Sequence, residues 1–188
     1  EEMAKMDEEI ELRKRQAKKA LRLLGVKSTR FLDLPNLELD QVPLLQIVKE
    51  IEKDIQELDC DTIFTHHWND LKIDHRIAYQ ATITAARPIP TSKISKIISF
   101  EIPASTDWQR PYKFNPNLYV DISKELDLKL KALAEYKYEL RKFPHPRSKE
   151  ATISIAKRWG SLAGYQAAEA FEVVLNKVKN FDKNFLIP

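Results

Sequence analysis

One short stretch constrains this chain more than any other. The largely apolar run Cys60-Asp61-Thr62-Ile63-Phe64-Thr65 leads straight into the polar decad His66-His67-Trp68-Asn69-Asp70-Leu71-Lys72-Ile73-Asp74-His75, which holds three of the four histidines. The run reads as a buried strand, and Ile77, Ala78, Ala81 and Ala85 recur at helical spacing behind it, so a helix is expected from about His75 to Ala86. Arg87-Pro88-Ile89-Pro90 closes it, because a proline disfavours helical geometry in the residue before it. Strand, polar loop and helix in that order make the unit from which parallel sheets are assembled, and α/β enzymes keep their chemistry at the carboxyl end of such strands.

The rest of the chain follows the same alternation. Ile10, Ala17, Ala20, Leu21 and Leu24 form the apolar stripe of a first helix, ended by Gly25. A short strand is expected at Thr29–Leu32, a turn at Pro35-Asn36, and a helix from Pro43 with the stripe Leu44, Ile47, Val48, Ile51 and Ile55. Ile94–Ile102 reads as a strand, and Pro103–Pro116 has no period and reads as a long surface loop, a class more often functional than idle. Leu118–Ile122 is a short strand; Ser123 is expected to cap a long helix reaching about Lys142, and Phe143–Ser148 is a turn framed by Pro144 and Pro146. Lys149–Trp159 is helical, Gly160 and Gly164 are expected to break it, and Ala167–Leu175 fits either a helix or a final strand.

Composition narrows the classes. A chain of 188 residues, 43% apolar and 31% charged, has the makeup of one soluble globular domain. The net charge of +3 is spread along helices rather than gathered into an arm, which argues against nucleic-acid binding. Cys60 has no partner for a disulfide and reads as a buried thiol rather than a nucleophile, which fits a reducing compartment. No run is long enough to span a bilayer, and Glu1-Glu2-Met3-Ala4-Lys5 is no signal peptide, so a cytoplasmic location is expected. An α/β domain usually opens on a strand whereas this chain opens on a charged helix, so a segment upstream is expected to be missing.

Five side chains of the decad, His66, His67, Asp70, Asp74 and His75, are of metal-ligating type, and a carboxylate beside a histidine can fix its ring tautomer. A catalytic zinc generally takes three protein ligands and leaves one position open, and nothing elsewhere in the chain plainly completes that set. Each residue also has a structural reading. His66 and His67 can bond loop backbone at a strand end, Asp70 can close an Asx turn, and Asp74 can cap the helix beginning at His75.

The motif Asp70-Leu71-Lys72-Ile73-Asp74-His75-Arg76, after Thr65-His66-His67 and before Ala85-Ala86-Arg87-Pro88, resembles the second signature of the LmbE/PIG-L family of zinc-dependent N-acetylglucosaminyl deacetylases. The likeness continues through Phe31–Pro35, Ser105–Trp108, Val120–Ser123, Pro144–Ser148 and Ala168–Glu172, most of the chain in the family's order. It implies a Rossmann-like three-layer α/β fold with a mostly parallel sheet, forming a single domain over 1–188. It further implies zinc held by His75 together with a His and an Asp from an amino-terminal His-Pro-Asp-Asp motif, whose first Asp serves as general base. This chain has no such motif, and it aligns from the helix that follows the first strand, so it is expected to be an amino-terminally incomplete member.

The resemblance makes Asp74 a catalytic residue beside the ligand. Lys72, where relatives often carry Asn or His, becomes an oxyanion donor or else a solvent-facing side chain. Asp70, Arg76, Thr106, His145 and Arg147 are expected at the substrate, with Pro103–Pro116 and Pro144–Ser148 bordering its pocket. The reaction implied is hydrolysis of an N-acetyl group on a small-molecule sugar or glycoconjugate, absent from the 188-residue chain by itself. Two alternatives remain: a noncatalytic relative binding a saccharide or another partner, and an unrelated α/β metal- or nucleotide-binding domain. Oligomeric state is left open, a homo-oligomer being one outcome.

Overall fold

The structure, a computed structural model, describes residues 2–178, with side chains from residue 8 onward, so Glu1 and the charge pattern of the first few side chains lie outside the described residues. Among the described residues two compact units form, one from residues 2–32 and 119–169, the other from 33–118 and 170–178.

The second unit is built on the expected strand–helix alternation. α2 (Leu44–Leu58) begins after Pro43, whose fixed φ suits a helix start, and ends at Asp59 in the left-handed region at φ 49°. Its Ile47 and Val48 are buried against Ala81 of α3 (Ile73–Ala85), with Leu44, Ile51, Ile77 and Ala85 around them. β1 (Thr62–His66) and β2 (Lys96–Phe100) pair in parallel, Thr62 opposite Lys96 and His66 opposite Phe100. Ile63 and Ile97 pack with Ala86 and Ile94 into a second core cluster, and Thr65 Oγ1 bonds Thr82 Oγ1 of α3 at 3.2 Å. Side chains alternate along β1, so the face carrying Ile63 and Thr65 meets the helices.

β4 (Ala168–Asn176) runs antiparallel to β2, Phe171 opposite Phe100. Ile97 faces Leu175 and Ile98 faces Val173, so Val174 is the extra residue of a β-bulge. With β3 (Leu118–Asp121) the strand order is β1-β2-β4-β3, an α/β fold with a mixed four-stranded sheet.

The first unit comprises α1 (Glu2–Leu23), α4 (Leu126–Ala134) and α5 (Lys149–Ala163), with Ile122, Ala156 and Ala167 at its core and Leu126 packed on them. Ser148 caps α5, its Oγ accepting from Ala151 N at 3.0 Å, and Gly164 closes it at φ 80°.

Several local expectations are corrected. Thr29–Leu32 forms no strand. In α1 the expected stripe is met in part: Ala20 is buried and Ala17 and Leu21 are half-buried, but Ile10, and Leu24 just past the helix, are exposed, while the polar Gln16 is buried. α4 covers nine residues and does not reach Lys142. Ser123 does not cap it: the hydroxyl bonds the Asp121 carboxylate, and past Ala134 the chain turns so that Glu139 meets Arg147 at 2.6 Å and Arg13 at 3.6 Å. Gly160 does not break α5. It lies within the helix, where glycine lets the following chain pass close: a Cβ there would sit 2.7 Å from the Tyr165 carbonyl oxygen and 2.8 Å from Ala167 Cα. The ambiguous Ala167–Leu175 segment is strand.

Candidate active site

β1 ends at His66 and α3 begins at Ile73, so the decad is the loop between them, with its last residues in the first helical turn. Its centre is Asp70, fully buried. One carboxylate oxygen lies 3.0 Å from His75 Nδ1 and accepts from Lys72 N at 2.9 Å and from the Ser105 hydroxyl; the other accepts from Thr106 Oγ1 at 2.6 Å. A buried charge is tolerated only when its lone pairs are satisfied, and here four donors meet one carboxylate. Burial by itself pushes the Asp70 carboxyl upward. The hydrogen bonds from His75, Ser105, Thr106 and Lys72 outweigh that and hold it well below the usual carboxylate range.

An ionised carboxylate can only accept, so His75 carries its proton on Nδ1, and in the neutral ring Nε2 keeps its lone pair. That is the arrangement in which metal-ligating histidines are oriented by a carboxylate behind them. His66 stacks on the same ring, centroids 4.4 Å apart and 26° from parallel. Burial, then the neighbouring His75, lowers the His66 pKa to about 4 against a partial upward pull from Asp70, so at neutral pH the stack holds a neutral His66.

The loop is braced on its other side. His67 is fully buried; Nδ1 accepts from Asn69 N at 3.1 Å, which puts the proton of the neutral ring on Nε2, 3.3 Å from Glu172 Oε2. The other oxygen of Glu172 accepts from Asn115 N, and Asn69 Nδ2 donates to the Pro111 carbonyl at 2.9 Å. Arg76 donates to the carbonyls of Asp70 (2.6 Å) and Leu71 (2.9 Å). The segment Pro103–Pro116 is therefore tied to the decad at Ser105, Thr106 and Pro111. It is less superficial than expected, since Ala104, Ser105, Thr106 and Phe114 are buried.

The expected site residues thus separate into groups. Asp70, His75 and Thr106 converge, with Ser105 joining them. Asp74 does not cap α3, which starts after Lys72; its carboxylate accepts from Leu37 N (2.6 Å) and Leu39 N (3.1 Å) and fastens the segment before α2. Leu37 is held at φ 62° there. Lys72 is partly buried and its backbone N–H goes to Asp70. His145 and Arg147 belong to the first unit, where His145 Nδ1 accepts from Arg147 N at 3.1 Å and Arg147 pairs with Glu139. Burial pushes the Cys60 thiol up, which suits an inert side chain.

Sequence reasoning missed Ser105 as an Asp70 partner, the close approach of His67 to Glu172 and the Asn69–Pro111 bond. Each joins residues at least 35 positions apart, and none has a local spacing that would announce it. Among the described residues no three His, Cys, Asp or Glu converge to hold a metal ion. A zinc centre needs more than one ligand, and the described residues do not complete such a site around His75.

Residues 1–86 match the family model described as PIG-L: GlcNAc-PI de-N-acetylase, in agreement with the resemblance drawn from the decad. The fold is similar to that of the conserved protein TT1542 from Thermus thermophilus, with a TM-score of 0.71 and 21% identity over 90% of this chain and 76% of that one. It is also similar to N,N'-diacetylchitobiose deacetylase from Pyrococcus horikoshii, with a TM-score of 0.67 and 21% identity over 87% of this chain and 63% of the deacetylase. At this identity the structural likeness establishes the fold.

Proposed function

We propose that this chain is a zinc-dependent N-deacetylase that removes the acetyl group from an N-acetylated amino sugar or glycoconjugate, and that His75 is the metal ligand it contributes. The observation that carries the reading is the carboxylate clamp on His75: Asp70 fixes Nδ1–H at 3.0 Å and leaves Nε2 as the free donor. The family match over residues 1–86 and the deacetylase among the similar folds support a deacetylase-like activity.

When bound, zinc supplies Lewis-acid polarisation and an activated water. The described residues offer it one oriented imidazole, so no chemical step is assigned through it. Further ligands and a general base would come from outside the described residues, on the expected His-Pro-Asp-Asp segment.

The chain's own residues prepare the site. Asp70 orients His75 in place of the substrate contact expected of it, and Ser105 and Thr106 hold Asp70. Arg76 staples the loop carbonyls. Asp74 anchors the segment before α2 while lying next to His75 in sequence. Lys72 is the cationic candidate for stabilising an oxyanion, and His145 and Arg147 stay candidates for substrate contact.

Acetate release from an N-acetylglucosamine derivative, with zinc added, tests the reading. The 188-residue chain should show no turnover, a version extended by a strand carrying His-Pro-Asp-Asp should show it, and His75→Ala in the extended version should lose both zinc and activity. Turnover by the 188-residue chain equal to the extended version would overturn the ligand assignment. Saccharide binding without turnover in either version would favour the noncatalytic relative. No helix among the described residues is long and apolar enough to cross a membrane, and a cytoplasmic location remains part of the proposal.

A further inference from the structure

Residues 12–32 carry eight basic side chains and no acidic one. Four of the eight, Arg15, Lys18, Lys19 and Arg22, stand at the i, i+3, i+4 and i+7 positions of α1, so they make a single stripe about 10 Å long. All four are exposed, on the side of the helix away from the buried Gln16 and Ala20. Every neighbour at helical spacing within the stripe is a like charge, Arg15 to Lys18 and Lys19 and Arg22 to the same two, which works against the helix. Nothing among the described residues relieves it. Glu11, the nearest acidic side chain on α1, pairs with Lys14 at 3.2 Å; Arg15, Lys19 and Arg22 have no carboxylate partner, and the Lys18 ammonium lies 5.9 Å from the centre of the Phe31 ring.

The stripe runs into a capping turn. Gly25 N donates to Arg22 O at 3.2 Å and Val26 N to Leu21 O at 3.0 Å, with Gly25 in the left-handed region at φ 74°. The turn is held by these bonds, yet it leaves Leu23, Leu24 and Val26 each nearly half exposed, at 45%, 49% and 44%.

We infer that this stripe, with the apolar turn at its end, is a docking surface for an anionic lipid bilayer. A bilayer carrying phosphatidylserine presents a plane of negative headgroups over an apolar interior, and a basic helix face lying in that plane is attracted by each of its charges. The long stems of Lys and Arg let the charges stay at headgroup level while neighbouring aliphatic side chains reach deeper. Self-repulsion that the free chain leaves uncompensated is relieved at such a surface. Nucleic acid would meet the same charges, but it gains nothing from three exposed aliphatic side chains, and α1 offers no aromatic ring for base stacking. None of these residues belongs to the His75 site, so the docking surface stands or falls separately from the deacetylase reading.

Co-sedimentation of the 188-residue chain with vesicles of phosphatidylcholine alone, and of phosphatidylcholine mixed with phosphatidylserine, tests the assignment. Binding should require phosphatidylserine and should fade as salt rises from about 0.1 M to about 1 M, where the screening length falls from about 10 Å to about 3 Å. Lys19→Gln with Arg22→Gln should weaken it roughly thirtyfold, the usual effect of two basic side chains at an anionic surface, and should keep or raise the melting temperature because like charges leave the stripe. Leu23→Ser with Leu24→Ser should weaken it roughly tenfold through the lost apolar burial. No binding, equal binding to both kinds of vesicle, or binding that survives Lys19→Gln with Arg22→Gln would each overturn the proposal. So would an equal affinity for duplex DNA that is indifferent to Leu23→Ser with Leu24→Ser, which would assign the stripe to nucleic acid instead.

Discussion

At the scale of single residues, the site is organised around one buried carboxylate. Asp70→Asn would put an amide N–H₂ among donors that all need an acceptor, and a buried polar group left unsatisfied costs about 1–3 kcal/mol, more when a charge was being solvated. Urea unfolding of the metal-free chain at neutral pH should therefore show a loss of about 3 kcal/mol in the variant.

Two titrating groups add a pH dependence of known sign. The Asp70 carboxyl is depressed in the folded chain, so its stabilisation is present above the unfolded carboxylate value and is lost as pH falls through the folded one. His66, lowered to about 4 by burial and by His75, binds its proton more readily in the unfolded chain, so stability also falls with pH between the ordinary histidine value and about 4. The metal-free chain should lose about 3 kcal/mol through His66 across that upper window. His66→Gln should flatten the window and leave the decline further into acid, which belongs to Asp70. A melting temperature indifferent to pH over the upper window would contradict the half-buried, neutral His66.

At the scale of elements, α5 shows how a local rule yields to packing. Alanine is the better helix former by about 1 kcal/mol, so helix propensity alone predicts that Gly160→Ala stabilises. The added Cβ would instead meet backbone atoms at 2.7 and 2.8 Å, which no side-chain rotation relieves, and overpacking of this kind typically costs about 1–3 kcal/mol. Thermal denaturation should therefore show a net fall. Ser148→Ala removes the buried cap of the same helix and should cost about 1 kcal/mol, read in the same experiment.

The elements also mark where periodicity was a sufficient guide. α2 carries its stripe through four turns and α3 follows a clear βα junction, and both lie close to the expected positions. α4 stops at Ala134, and beyond it Glu139 pairs with Arg147 and Arg13, partners that nothing in the run from Ser123 to Lys142 encodes.

For the molecule as a whole, the sheet order leaves β1 with one strand partner, β2, among the described residues, and Phe64 on it is 54% exposed. An edge with unpaired backbone groups and an exposed aromatic side chain is a template for association. Sedimentation velocity should show a mass that rises with concentration, and Phe64→Lys should reduce it, since a charge on an edge strand opposes pairing. A chain that stays monomeric up to high concentration would show that this edge is protected.

The decad, the strand before it and the helix after it were legible in the sequence because each rests on local rules: a β-rich run, a polar loop, an apolar period. His75 and Asp70 could be named as chemically interesting for the same reason, and the PIG-L resemblance began from that contiguous motif and ran on through shorter segments along most of the chain. What Asp70 and Asp74 do was decided by tertiary structure. The first gathers His75, Ser105 and Thr106 and the second fastens Leu37 and Leu39, although both are aspartates four residues apart in the same decad. A carboxylate's role is set by which donors the fold brings within about 3 Å, and donors more than about 30 residues away leave no periodic trace in the chain.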